Sequence, residues 1–182
     1  ARKYAEMIPE QTMISRDAVM ENILEGDELL LFRQKRIKSR IEDILLDLSM
    51  MPTVYAAFMK DIINVMIRDG NYIAFNDSLY CSTKRQINHI LKYESNTSKD
   101  RICNLLKEMK SYAKAYDEIV FSKPGVYKYT APCFDHIEED TREWFGNEGE
   151  PMMQDFYKYL ERAQFDFLRD DEEFTALEKQ AG

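Results

Sequence analysis

The chain has 182 residues, 45% of them hydrophobic and 32% charged, which supplies one real core and excludes disordered, collagen-like and disulfide-scaffold classes. Its 33 acidic and 25 basic residues leave a net charge of −8, so any polyanionic partner must meet a local patch rather than the whole surface. Three cysteines, Cys81, Cys103 and Cys133, are odd in number and widely spaced. They suit neither a disulfide framework nor a paired zinc motif, and a reducing, cytoplasmic setting is the expectation. Apolar runs such as 29–32 and 54–59 fall far short of a membrane helix, and Ala1-Arg2-Lys3-Tyr4 opens no hydrophobic stretch, so a secretory signal is not expected.

A short helix is predicted over 16–24, ended by Gly26. Over 27–48, Leu30, Ile37, Ile41, Ile44, Leu45 and Leu48 recur at spacings of three, four and seven, the period of a long amphipathic helix. Pro52 opens the next helix, 53–68, with Tyr55, Phe58, Ile62, Val65 and Met66 as its apolar positions and Gly70 as its stop. Residues 71–75 are β-prone and follow a glycine, predicting a strand, and Asn76-Asp77-Ser78 is turn chemistry. A short helix is expected over 83–91, with Ser82 or Thr83 as N-cap and Ile87, Ile90 and Leu91 inside. After the polar break Glu94-Ser95-Asn96, Thr97-Ser98-Lys99-Asp100 has capping-box spacing, and Ile102, Leu105, Leu106, Met109, Tyr112, Ala113 and Tyr116 hold helical phase. Two β-prone runs, 118–121 and 126–130, flank Ser122-Lys123-Pro124-Gly125 and predict a hairpin with a type II turn. Helices are expected again over 135–145, 152–168 and 172–178, with Phe156, Tyr159, Leu160 and Phe167 as core.

Charge is divided unevenly along the chain. Residues 1–82 carry 10 basic and 13 acidic residues, 83–130 carry 10 and 5, and 131–182 carry 5 and 15. A basic middle beside a strongly acidic end suggests separate surfaces. Residues 52–131 run helix, strand, short helix, turn, longer helix, hairpin, and this order resembles the winged helix-turn-helix superfamily. The resemblance makes 98–116 the recognition helix and 118–130 the wing, and implies DNA binding in a regulatory protein. Lys99, Arg101, Asn104, Lys107, Lys110 and Lys114 stand outside the apolar phase of that helix, and Lys123 and Lys128 belong to the hairpin. Lysine and arginine neutralise phosphates, and asparagine can bond an adenine edge. The fold expected is α+β and mostly helical. Its parts are a helical extension (1–51), a winged-helix-like centre with a small antiparallel sheet (52–131) and an acidic helical segment (132–182).

A second basic cluster, from Arg33 to Arg40, lies in the long helix. Its cations could flank DNA or pair with carboxylates of the C-terminal segment, and Ile37, Ile41, Ile44 and Leu48 could form a homodimer seam. The alternative function is protein binding. Glu138, Glu139, Asp140, Asp170, Asp171 and Glu172, with Trp144 as an apolar anchor, could mimic nucleic-acid phosphates and occupy a basic partner surface. Phage-encoded inhibitors, anti-CRISPR proteins among them, act in this way; a subunit of a larger particle is a third possibility. Cys133-Phe134-Asp135-His136 with Glu139 and Asp140 is the densest group of potential ligands, but it lacks the second pair that zinc requires. Glu108-Met109-Lys110 matches an acidic-x-Lys nuclease element only superficially, since it falls within a helix. With no phosphate loop, GxGxxG or GxSxG, neither catalysis nor a metal or other cofactor is expected.

Overall fold

The computed structural model describes residues 16–68, 70–94, 97–144 and 149–179. The readings at Ala1 to Tyr4, Ser95-Asn96 and Phe145 lie outside them. The described chain is mostly helical with one two-stranded antiparallel sheet. Helices α1 (Arg16–Ile23) and α2 (Gly26–Met50) form a hairpin around Gly26, whose φ of 54° suits glycine. The order continues with a 3₁₀ turn (Thr53–Tyr55), α3 (Ala56–Ile67), a 3₁₀ turn (Ile73–Phe75), α4 (Asn76–Tyr93), α5 (Lys99–Asp117) and a π turn (Glu118–Ser122). Strands β1 (Val126–Lys128) and β2 (Glu138–Asp140) follow, then 3₁₀ turns at Thr141–Glu143 and Ala163–Leu168 around α6 (Met152–Leu160), and finally α7 (Glu172–Glu178).

Among the described residues two large clusters make most of the core, and a small third one, Met20 and Leu24, holds α1 to α2. In one, Ile87 and Ile90 of α4 meet Ile102, Leu106 and Met109 of α5, with Phe156 and Tyr159 of α6, Phe165, Leu168 and Phe174 closing over them. In the other, Ile41 and Leu45 of α2 meet Met59, Ile63 and Ile67 of α3, Phe75, Leu79, Tyr129, Phe134 and Ile137. This second cluster joins residues from all three segments. Gly70 brings α3 against the 130s loop: a Cβ there would lie 2.6 Å from the Ala131 nitrogen. Phe156, Tyr159 and Leu160 are buried as expected, but Phe167 is exposed, because the 152–168 helix breaks after Leu160 and resumes as a 3₁₀ turn.

Several expected elements differ. The β-prone residues 71–75 find no partner strand; Phe75 N bonds Tyr72 O at 2.6 Å, and the turn runs directly into α4. Asn71 is instead a clasp, its side chain donating to Lys128 O (2.8 Å) and accepting from Thr130 N (3.2 Å). Ser82 and Thr83 cap nothing. Their hydroxyls donate to Ala56 O and Leu79 O from inside α4, which lets the helix start seven residues before the expected 83. Ser98, the N-cap residue of α5, makes no side-chain capping bond, and Thr97 Oγ1 donates back to Glu94 O.

The expected hairpin is also replaced. Residues 118–122 continue α5 as a π turn that buries Val120, and β1 pairs across to β2 in the register Val126–Asp140, Tyr127–Glu139, Lys128–Glu138. Gly125 does not have the positive φ of a type II turn. The helix expected over 135–145 becomes β2 and a 3₁₀ turn. The small sheet is therefore present, but the strand at 71–75 and the 118–130 wing that carried the winged-helix order are not formed.

Candidate functional site

The eight residues assigned to DNA are not a common unpaired stripe. Arg101 Nη1 lies 2.5 Å from Glu94, Lys107 Nζ 2.8 Å from Glu173 and Lys123 Nζ 2.6 Å from Glu118. Lys110 Nζ donates to Leu177 O at 3.0 Å, because α5 is the central helix and the C-terminal segment folds over it. Lys99, Asn104, Lys114 and Lys128 stay exposed. Opposite Lys128, across the sheet, is Glu138.

The acidic residues assigned to a partner are likewise split. Glu139 lies 3.2 Å from Lys38, Asp140 binds Arg142 at 2.6 Å, and Trp144 is half-buried beside Tyr116, with ring centroids 6.2 Å apart. Asp171 caps α7 through the amides of Glu173 and Phe174. Glu138, Asp170 and Glu172 are exposed. They sit near opposite ends of α5, since the sheet region meets Tyr116 while α7 meets Cys103 and Lys107. Thirteen residues of helix separate those ends by roughly 20 Å.

The basic cluster of α2 finds partners inside the chain, but mostly on α1. Arg33 and Arg36 reach Glu21 at 2.6 and 2.8 Å, and Lys38 binds Glu42 and Glu139. Those contacts hold the Glu21 carboxyl below its usual range, the Arg33 hydrogen bond being the main cause. The expected dimer seam is divided too: Ile41 is in the core and Leu48 packs against it, while Ile37 and Ile44 are exposed. Asp135 and His136 serve a structural link. Gln34, buried on α2, donates to Asp135 Oδ1 (2.7 Å) and accepts from the His136 amide (2.8 Å). Cys133 Sγ lies 2.8 Å from Met66 O, and burial raises its thiol pKa. Among the described residues no group of three or more His, Cys, Asp or Glu is placed to hold a metal, and no helix is long and apolar enough to cross a membrane.

A different surface is concentrated at the α2–α3 corner. Arg85 of α4 donates to Ser49 O and, at 2.6 Å, to Met51 O, satisfying carbonyls that a helix C-terminus leaves open. The chain turns there at Pro52. Helix α3 then buries Ala56, Met59, Ile63 and Ile67, while its opposite side presents Phe58 at 54% and Val65 at 71% exposure. The positions taken as apolar from sequence, Tyr55, Phe58 and Val65, are thus largely the outer face. Leu46, Met50, Met51 and Val54, on either side of the turn, are exposed as well. Beside it, Met51, Pro52 and Val54 face Asn88, His89, Lys92 and Tyr93 of α4 across a groove of about 450 Å³. Asp47 and Asp61 are exposed on the same outward faces as Met50 and Phe58. Two methionines give such a surface adaptable shape.

No family model, curated protein or solved structure matches this chain.

Proposed function

We propose that the chain is a protein-binding component whose α2–α3 corner receives a basic amphipathic helix of its partner. The observation that supports this most is α3, which is apolar on two sides and covered on one. A surface helix needs a single apolar stripe to hold it to its own core, whereas a second open stripe, following exposed Met50, Met51 and Val54 in the chain, has the character of an interaction surface. Asp47 and Asp61 supply the charge that a basic helix would complement. The protein-binding class expected from the acidic composition is kept, with its surface moved from 131–182 to 46–65. Duplex DNA binding through α5 is less well supported, because Arg101, Lys107 and Lys123 are each held by a carboxylate of this chain.

Calorimetric titration with a synthetic amphipathic helix of leucine and lysine tests this reading. The expected outcome is saturable binding that Phe58→Ser weakens at least tenfold while circular dichroism is unchanged. Equal affinity of the wild type and the variant would overturn the proposal.

A further inference from the structure

We infer that the groove between α5 and α6 is a binding site for a phosphate-bearing aromatic ligand, a nucleotide either free or within a single strand. The groove encloses about 720 Å³ and is lined by Lys110 and Lys114 of α5 and by Pro151, Met153, Gln154, Tyr157, Lys158 and Glu161 at and along α6. That volume is in the range of small-molecule sites. Its chemistry is divided between cations on one wall and an apolar ring surface on the other.

Lys110 and Lys114 are one helical turn apart, so their ammonium groups share a face. Elsewhere the lysines facing α6 and α7 have carboxylate partners: Lys84 has Asp155 at 2.6 Å and Lys107 has Glu173 at 2.8 Å. Lys110 and Lys114 are in no ion pair within 4 Å among the described residues: Lys110 donates to the Leu177 carbonyl, and Lys114 feels Glu118 only through a longer-range attraction, in a chain with eight more acidic than basic side chains. Burial and the charge of Lys114 hold the Lys110 pKa below its usual value, which is the electrostatic state that an anion would relieve. The other charged groups at the groove are Glu161 and Lys158, and Lys158 is already bound to Glu150 at 2.5 Å. The first α6 amides are not available to an anion, since Met152 N and Met153 N donate to the two Asp117 oxygens at 2.8 and 2.9 Å. The two lysines are therefore the anion-binding groups.

Tyr157 supplies the other half. Its ring is partly exposed and lies 5.5 Å from Lys110 Nζ, so a phosphate held by the lysines would place an attached base within reach of the ring. Stacking of that kind tolerates any base. No residue of α2 or α3 takes part, and the site stands apart from the corner proposed above.

The test uses AMP and a fluorescein-labelled single-stranded dA hexamer, followed by calorimetry and anisotropy. Both arms are repeated with Lys114→Glu, Tyr157→Leu, Lys99→Glu and Phe58→Ser. Lys114→Glu and Tyr157→Leu should each lower affinity about tenfold or more, while Lys99→Glu and Phe58→Ser should leave it unchanged. AMP bound as tightly as the hexamer would assign the site to a free nucleotide; a hexamer bound much more tightly, with a log–log salt slope near −1.4 for two contacts, would assign it to a strand. Binding of neither probe, or an equal loss in Lys99→Glu and Lys114→Glu, would overturn the inference.

Discussion

Helices α3 and α5 are both apolar on more than one side, yet only α5 has those sides covered. Ile102, Leu106 and Met109 of α5 are enclosed between α4 and the C-terminal elements, and cations on its rim are tied to Glu94 and Glu173. Helix α3 reaches the core through Met59 and Ile63 and leaves Phe58 and Val65 in solvent. The comparison teaches that most of α5 is committed to the fold, with Lys110 and Lys114 left at the groove beside α6. The outer face of α3, with Phe58, Asp61 and Val65, is left open to solvent.

The comparison breaks most plainly on core truncation. Leu106 is fully buried, so Leu106→Ala should cost about 2–5 kcal/mol by urea denaturation, whereas Phe58→Ser should stay within about 0.5 kcal/mol. Similar losses at both positions would mean that the outer face of α3 is also structural. A smaller effect is expected at the clamp that shapes the corner. Arg85→Ala removes the donors to Ser49 O and Met51 O, and should cost about 1–3 kcal/mol while weakening the leucine–lysine helix. At the far end of α5, Asp171→Ala removes the α7 cap and should cost about 1 kcal/mol without affecting that peptide.

The smallest effect sharpens the account of how α6 is attached. Burial alone would raise the Asp155 carboxyl, but hydrogen bonds from Lys84 (2.6 Å) and Tyr80 (2.5 Å) outweigh it and hold the pKa below the usual value. A carboxyl with a depressed folded pKa contributes stability above its unfolded value of about 3.9 and loses it as pH falls through the folded one. The urea midpoint of the wild type should therefore fall more steeply below about pH 4 than that of Asp155→Asn. Parallel curves would remove Asp155 from the account.

Much of the helical frame was legible in local sequence. The period over 27–48 located α2, the phase from Ile102 to Tyr116 located α5, and 172–178 matches α7. The β segments were not legible, because a strand exists only through its partner. The run at 126–130 contains β1, paired with β2 ten residues further on, while 71–75 and 118–121 have the composition of strands but no partner among the described residues. The candidate site was hidden for a related reason. Periodicity shows that α3 has apolar positions, Tyr55, Phe58 and Val65 among them, but not which face another helix covers. The available signal was that Met59, Ile63 and Ile67 fill the opposite side as well. In the same way, lysine counts marked α5 as basic, yet the carboxylate that neutralises Lys107 is 66 residues away.

The most direct test of the central claim is a hydrogen-exchange footprint of the whole chain with and without the leucine–lysine helix. The account predicts added protection over residues 46–65 and 88–93, absent in Phe58→Ser. Protection confined to Glu138–Asp140 and Glu172–Glu178, with the corner unchanged, would contradict it and return the binding surface to the acidic C-terminal segment.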